Sequence, residues 1–252
     1  MFAPQRREIL LDRLDTEGRV VAKDIAAELG VTEDMIRRDL RELAAAGLCQ
    51  RVYGGALPAS PAVADYPARQ SVAVDSKARV ARAAAGLIRP GTIALLDGGT
   101  TALAVARALP ARLAATIVTH SPTIAAALAE HTTVEVEVIG GRLFKHSVVT
   151  AGAAALESLA HISADVFLLG VTGVHPDAGL TTGDREEAAM KRALAARAGD
   201  TYVLASSEKI GTASGFPVLP LADVTGIVTD APSDAPAMRA LTKAGAHFLA
   251  AG

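Results

Sequence analysis

A turn of small and polar residues follows a short β-branched run near the middle of the chain. Residues 92–96 are predicted to form a strand that leads through Asp97-Gly98-Gly99-Thr100-Thr101 into a helix at residues 102–109. This turn offers free backbone N–H groups, two hydroxyl groups and the positive end of a helix dipole, which together suit a phosphate group. Glycine and threonine here also make ordinary turns and helix caps, so the loop alone leaves both interpretations open.

Short β-branched runs alternate with Ala-rich stretches from residue 76 onward. Strands are predicted at residues 92–96, 116–119, 134–139, 166–170, 202–205 and 226–229. Helices are predicted at residues 102–109, 123–129, 153–159, 185–198 and 235–244. This alternation predicts a mostly parallel sheet covered on both faces, in which ligands bind beyond the carboxyl ends of the strands.

Polar and small residues follow several of these strands and are expected to meet in one crevice. His120 and Gly173 lie just beyond two of them. Lys191 and Lys209 would supply cations for a phosphate, and Asp97 and Glu187 would accept hydrogen bonds from sugar hydroxyl groups. For each lysine, the alternative is an ordinary surface residue.

The first 57 residues show the pattern of three short helices and a hairpin. On the third helix Ile36, Leu40 and Leu43 recur at core spacing, which leaves a polar outer face. Thr32 is placed to cap this helix, and its outer face carries Asp34, Arg37, Arg38 and Arg41. A tight turn at residues 30–32 precedes the helix, the geometry that lets the second helix of such a pair enter a DNA major groove.

A predicted hairpin that contains Gly54 and Gly55 comes after the third helix. From this wing Arg51 and Tyr53 are expected to contact the DNA backbone. Exposed arginines are usually only a solvated surface, and basic and acidic residues are nearly balanced in residues 1–57. Charge alone therefore leaves the interpretation open. The order of the features, with a turn, a cap, an arginine-bearing helix and a hairpin with two glycines, predicts a winged helix-turn-helix.

Composition restricts the remaining function classes. The 252 residues are 50% hydrophobic and 21% charged with a formal net charge of -2, which disfavours a disordered chain and a protein that coats nucleic acid through bulk charge. The single Cys49 is expected to be a buried hydrophobe. With no predicted signal peptide or membrane span, a cytoplasmic location is expected. The scattered histidines predict no metal site, and no dinucleotide motif follows a strand, so no cofactor is expected.

Residues 20–57 resemble the DNA-binding module of the DeoR family of bacterial transcriptional regulators. The family's hallmark is Ile-Arg-Arg-Asp-Leu followed by Arg-Val-x-Gly-Gly-Ala, and residues 36–40 and 51–56 match it. The stretches at residues 95–109, 167–194 and 202–211 look like the family's effector domain, a sensor of sugar phosphates related in fold to ribose-5-phosphate isomerase. The chain departs from the family pattern at several positions. These are Met35 for Thr, Gly98 for Ser, His120 for Asn, Ser206 for Asp and Glu208 for Ser.

The resemblance implies that the Gly-Thr-Thr loop holds a phosphate and that residues around Gly173, Glu187, Lys191 and Lys209 line the sugar side. The predicted organisation is a winged helix-turn-helix at residues 1–57, a linker at 58–75 and an α/β effector domain at 76–252. Three prolines in the segment indicate the linker.

The predicted function is a repressor of carbohydrate genes that binds a double-stranded DNA operator as a homodimer or homotetramer and responds to a phosphorylated sugar. One alternative is a sugar-phosphate isomerase with an appended DNA-binding module, in which Asp97, Glu187 and Lys191 would act as acids and bases. Another is a DNA-binding protein whose crevice has lost its ligand. No catalytic residue is expected on the preferred interpretation.

Overall fold

The computed structural model describes residues 1–252 and contains three hydrophobic cores. One lies within the first 56 residues, and the other two lie on opposite faces of a central sheet. Alternate residues of single strands show this division: Ala94 and Leu96 belong to one core, and Leu95 between them belongs to the other. A sheet buried on both faces follows, as the near-continuous apolar runs predict.

The N-terminal unit is a winged helix-turn-helix. Its elements are α1 (Ala3–Glu17), β1 (Val20–Val21), α2 (Ala22–Leu29), α3 (Glu33–Ala45), β2 (Cys49–Val52) and β3 (Gly55–Pro58). The strands form an antiparallel sheet in the order β1-β3-β2. Gly18 and Gly30 end the first two helices with positive φ angles of 72° and 62°, which favour glycine. The three helices and the hairpin are as predicted.

A buried ion pair fixes α1 against α3. The Arg6 Nε atom donates to Asp39 Oδ2 at 2.7 Å, and Asp39 is 2% exposed. Arg7 Nε lies 3.4 Å from the other carboxylate oxygen. Asp39 faces inward from α3, whereas the arginines of that helix face solvent.

The segment 58–75 is ordered along the larger unit, where a linker was predicted. It contains a short 3₁₀ turn at Pro61–Val63 and the helix α4 (Tyr66–Gln70), and α5 begins at Val74. Tyr66 is buried, and its backbone N–H donates to His146 O at 2.8 Å. Prolines at the first turns of these two helices are compatible with helix starts, so the proline content did not indicate a flexible chain here.

The larger unit has the predicted α/β architecture. Its elements are α5 (Val74–Ala85), β4 (Ile93–Leu96), α6 (Thr100–Ala108), β5 (Ala115–Thr119), α7 (Pro122–Leu128), β6 (Val134–Val138), β7 (Arg142–Phe144), β8 (Val149–Ala151), α8 (Ala153–Leu159), β9 (Ala164–Gly170), β10 (Gly173–His175), β11 (Gly179–Thr182), α9 (Arg185–Ala195), β12 (Ala198–Leu204), β13 (Phe216–Leu219), β14 (Gly226–Thr229), α10 (Pro236–Lys243) and β15 (Phe248–Ala250). Helix α9 ends at Ala195, so the predicted helix was too long by the turn that precedes β12.

Seven parallel strands form the main sheet in the order β15-β14-β12-β9-β4-β5-β6. The chain order runs outward in both directions from the neighbouring pair β4 and β9, which makes the crevice beyond their carboxyl ends a topological switch point. Two small antiparallel sheets, β10-β11-β13 and β7-β8, flank this end and were not predicted. Their strands are three or four residues long.

Candidate functional site

A cavity lies at the switch point, where β4 and β9 end and α6 begins. It spans about 510 Å³ when its open mouth is included. The backbone N–H groups of Gly99, Thr100 and Thr101 donate to no acceptor in the protein, because they form the first turn of α6. Gly99 has a φ of 100° and is buried, which brings the bare backbone to the cavity wall. These groups can bind an anion on the positive end of the helix.

Asp97 is completely buried beneath this loop and accepts four hydrogen bonds. Its Oδ1 atom accepts from Gly98 N at 2.8 Å and lies 2.9 Å from His120 Nε2. Its Oδ2 atom accepts from Gly170 N at 2.8 Å and from Lys191 Nζ at 2.6 Å. Burial alone would raise the pKa of this carboxyl, but Lys191 and His120 hold it well below its usual range. Asp97 is therefore a fixed anion that joins the ends of β4, β5 and β9 to α9.

Three further cations surround the α6 N-terminus. Lys209 is 5% exposed, and its Nζ atom donates to Thr101 Oγ1 at 3.2 Å. Lys77 is buried on α5 and donates to Arg69 O at 2.5 Å. Burial lowers the pKa of Lys209 to about 8 and also lowers the pKa values of Lys77 and Arg69. An anion in the cavity would offset the cost of burying these charges.

Two carboxylates face the same cavity. Glu187 lies in the first turn of α9, where an acidic side chain suits the helix dipole, and it is 8% exposed. Glu208 Oε1 accepts from Ser206 Oγ at 2.6 Å, whereas Oε2 is buried without a partner. The cavity thus combines donors for an anion with free acceptors for hydroxyl groups.

The structure brings most of the predicted effector residues to this cavity. Its wall includes Gly98, Gly99, Thr100, Thr101, Glu187, Lys191 and Lys209. Asp97 and His120 lie behind the wall, bonded to each other. Gly173 is buried in β10, where a Cβ atom would stand 2.5 Å from Thr212 O, so its lack of a side chain serves strand packing.

Other wall residues were not predicted. They are Ala62, Arg69, Val72, Lys77 and Ser147. The rest of the wall adjoins predicted strand ends and site residues and consists of Gly170, Val171, Thr172, Thr182 and Glu208. Arg69 comes from the connecting segment and Lys77 from α5, and local sequence patterns did not link either element to the turn at residues 97–101. One signal was present: Arg69 stands among small and apolar residues in a segment with few other charges.

Helix α3 presents an exposed face with three arginines. Arg37 pairs with Glu33 at 2.7 Å, Arg38 pairs with Glu42 at 3.4 Å, and Arg41 is exposed without an ion pair. Thr32 caps the helix, since its Oγ1 atom accepts from Met35 N at 3.4 Å. Asp34 is also exposed in the first turn.

The wing is a tight hairpin beside that helix. Val52 pairs with Gly55, so Tyr53 and Gly54 form the turn, and Tyr53 is fully exposed. Arg51 is exposed on β2. A Cβ atom at Gly55 would lie 1.8 Å from Val20 O, which explains why the second glycine is needed for β1 to pair with β3.

The two units also touch away from the connecting segment. His175 Nε2 lies 3.2 Å from Gly18 O, and Arg19 forms an exposed pair with Asp177 at 3.5 Å. Burial lowers the pKa of His175, which favours its neutral form at this contact. The β10-β11 hairpin thereby reaches from the cavity wall to the turn after α1.

Two family models match this chain. Residues 6–61 match the DeoR-like helix-turn-helix domain, and residues 72–231 match the DeoR C terminal sensor domain. The chain belongs to the DeoR family. It is a DNA-binding transcriptional regulator with a C-terminal sensor domain, as the sequence resemblance predicted. None of its helices has the length and apolar content required to cross a membrane.

Three relatives align with almost the whole of this chain. The HTH-type transcriptional regulator GlpR of Haloferax volcanii is 30% identical over 96% of this chain and 95% of its own. The glycerol-3-phosphate regulon repressor of Escherichia coli is 29% identical over 96% of both chains. The HTH-type transcriptional repressor GlcR of Bacillus subtilis is 29% identical over 91% of this chain and 89% of its own.

Two solved structures are also similar to this regulator. Ribose 5-phosphate isomerase A from Methanocaldococcus jannaschii aligns with 54% of both chains at 18% identity and a TM-score of 0.41. The full-length sorbitol operon regulator SorC from Klebsiella pneumoniae aligns with 90% of this chain and 96% of its own at 13% identity and a TM-score of 0.42.

Proposed function

We propose that this DeoR-family regulator represses genes of carbohydrate metabolism and that a phosphorylated sugar in the switch-point cavity controls its binding to a double-stranded DNA operator. The observation that carries the proposal is the set of free N–H groups at residues 99–101, faced by buried cations, on a chain that also has a helix-turn-helix. The designation of one relative as a glycerol-3-phosphate regulon repressor supports a phosphorylated effector.

The phosphate of the effector is assigned to the α6 N-terminus. There it would receive hydrogen bonds from the loop Gly99-Thr100-Thr101 and from Lys209, which is 3.2 Å from Thr101 Oγ1. Hydrogen bonds from charged donors to phosphate oxygens are roughly twice as strong as neutral ones. A dianionic phosphate would also raise the pKa values of the buried Lys209 and Lys77, because its negative charge offsets the desolvation that lowers them.

The sugar is assigned to the side of the cavity with the carboxylates. Glu187 and the unpartnered Glu208 Oε2 can accept from hydroxyl groups, and Thr172 and Thr182 supply smaller polar contacts. The Asp97 carboxylate is saturated by its internal donors, so we assign it to positioning Lys191 and the phosphate loop.

DNA binding is assigned to α3 and the wing. In a helix-turn-helix the second helix enters the major groove, where arginine recognises guanine edges and phosphates with two parallel hydrogen bonds. Arg37, Arg38 and Arg41 occupy that exposed face, and Arg51 and Tyr53 extend it along the wing. Thr32 and Asp34 border it at the helix start. Because one small reader contacts little DNA, we expect a homodimer or homotetramer on a two-fold operator in the cytoplasm.

We assign no catalysis to the cavity. Asp97 and Lys191 neutralise each other at 2.6 Å, and Asp97 lies behind the wall. The isomerase alternative needs Asp97, Glu187 and Lys191 together as acids and bases, and the burial of Asp97 against Lys191 removes that carboxylate from hydrogen-bond reach of a bound substrate. We therefore expect no turnover of ribose 5-phosphate.

A panel of sugar phosphates tests this proposal by thermal stabilisation. A ligand that binds the folded protein raises the melting temperature, by an amount that grows with its concentration above Kd. We expect at least one hit, its loss in Lys209→Met and its retention in Lys243→Met, an exposed lysine on α10. The same hit should weaken binding to an operator selected from genomic fragments, because it favours the arrangement of the domains that does not bind DNA. A hit that leaves operator affinity unchanged would contradict the control mechanism.

A further inference from the structure

Arg69 reaches the phosphate loop from outside both matched domains. It lies on α4, between the helix-turn-helix match at residues 6–61 and the sensor match at residues 72–231. Its guanidinium group nevertheless lines the cavity beside Gly99, where a Cβ atom would stand 3.8 Å from Arg69 Nη1. A cation is thereby held next to the free N–H groups of α6 by a segment that belongs to neither domain.

The guanidinium group has unused hydrogen-bonding capacity. Arg69 Nη2 donates to Ser147 Oγ at 3.1 Å, but the Nε atom is buried and has no partner. A buried donor without an acceptor costs free energy, and arginine uses its planar fork to bind phosphate with two parallel bonds. Burial also lowers the pKa of Arg69, and the carboxylate of Glu187 is the largest opposing influence.

The segment that carries Arg69 continues along the chain from the DNA-binding unit and is hydrogen-bonded to the larger unit. It continues from β3 of the wing, and Pro58 O accepts from Ala213 N at 3.0 Å. The Ser60 hydroxyl donates to Thr172 O on the cavity wall. Tyr66 N donates to His146 O at 2.8 Å. The backbone between the wing and the cavity is therefore held by a few discrete hydrogen bonds.

We propose that Arg69 is an anion-binding residue of the effector site and that its bond to the phosphate fastens residues 58–72 to the sensor domain, which transmits occupancy to the wing. The inference rests on the proposed function. It differs from a purely structural role, in which Arg69 would serve only to hold the turn that contains Ser147.

Inorganic phosphate titrated into the full chain by calorimetry is the direct test. We compare the wild type with Arg69→Gln, which removes the charge, with Arg69→Lys, which keeps the charge without the fork, and with Arg112→Gln, an exposed control at the amino end of β5. Loss of a charged hydrogen bond should weaken phosphate binding by about tenfold or more in Arg69→Gln and by less in Arg69→Lys. Arg112→Gln should bind like the wild type.

Hydrogen exchange separates fastening from simple binding. Saturating phosphate should slow exchange of the amides at residues 66–72 in the wild type and leave them unchanged in Arg69→Gln. If Arg69→Gln does not fold, the same comparison is made with Arg69→Lys, in which the slowing should be smaller than in the wild type.

Phosphate binding within about twofold of the wild type in the variants, or unchanged slowing at residues 66–72, would overturn this inference while leaving the proposed function intact. A wild type that binds neither phosphate nor any sugar phosphate would overturn both.

Discussion

Replacing Asp97 with asparagine should cause a large loss of stability, because the change leaves buried charge without its partner. The amide keeps the shape of the carboxylate but places an NH₂ group against one of two donor pairs. An NH₂ group at the Oδ2 position would face two other donors, Gly170 N and Lys191 Nζ. An NH₂ group at the Oδ1 position would face the donor Gly98 N. In either orientation the Lys191 ammonium, 7% exposed and 2.6 Å from the carboxylate, loses its counter-charge.

Removing one partner of a buried ion pair costs about 3–5 kcal/mol, and we expect Asp97→Asn to fall in this range. For a protein of this size each kcal/mol lowers the melting temperature by roughly 2–4 °C, which gives a decrease of roughly 6–20 °C. Urea unfolding and thermal melts measure both quantities. Asp200→Asn is the matched control, since this exposed carboxylate accepts only from Thr225 Oγ1, at 3.0 Å, and should change stability by less than about 0.5 kcal/mol.

A second substitution checks the physical cause. If the unpaired ammonium is the source of the loss, Lys191→Met in the Asp97→Asn background should recover part of the stability, which appears as a coupling free energy between the two positions. A cost below about 1 kcal/mol for Asp97→Asn, or additive effects of the two substitutions, would refute the reasoning. The stabilisation from Asp97 should also be present above pH 4 and decline as pH falls below it, because the folded pKa lies below the unfolded value.

Three further results are expected. Burial lowers the pKa of Lys209 to about 8, so calorimetry should show phosphate affinity falling from pH 7 to pH 9 as the ammonium loses its proton. Without phosphate, the free energy of unfolding should rise above pH 8 relative to Lys209→Met, because the lysine keeps its proton to higher pH in the unfolded chain. Arg41→Gln should weaken binding to duplex DNA and reduce the slope of log K against log salt by about one, as measured by fluorescence anisotropy. Gly55→Ala should disrupt the wing sheet and lower DNA affinity without changing phosphate affinity, because its Cβ atom would meet Val20 O at 1.8 Å.

Each of these results has a control. Inorganic phosphate loses its second proton around neutral pH, so it gains negative charge from pH 7 to 9 and its own titration would strengthen binding. A fall in affinity over this range therefore belongs to the protein. Arg112→Gln should leave the DNA salt slope unchanged, and Gly215→Ala, with open space at its Cβ position, should leave the wing intact. A pH-independent phosphate affinity, an unchanged salt slope in Arg41→Gln or a stable wing in Gly55→Ala would contradict the respective assignment.

Elements with strong local signals were predictable from the sequence. The apolar spacing of Ile36, Leu40 and Leu43 predicted the buried face of α3, and all three are buried. The alternating segment with Gly54 and Gly55 predicted the hairpin of the wing, and the alternation of β-branched and Ala-rich runs predicted the parallel sheet. In each case a few neighbouring residues contain the information, because turn conformation and amphipathic spacing are local properties.

The position of the turn at residues 97–101 was also predictable, since it follows a strand and starts a helix. Its neighbours Lys191 and Lys209 were recognised from their place after other strands and from the family resemblance, and both line the cavity. In the connecting segment, where prolines favoured a linker, local patterns did not predict α4 or its packing against the larger unit.

The sequence by itself determined the helix-turn-helix, the α/β unit that follows it and the loop that starts α6. Only the tertiary structure decided how the charges are used. It pairs Lys191 with Asp97 behind the cavity wall and leaves Lys209 beside Thr101. It also brings Arg69 to Gly99, thirty residues along the chain. The physical reason is that hydrogen bonding and burial depend on distances between strand ends, which local periodicity does not contain.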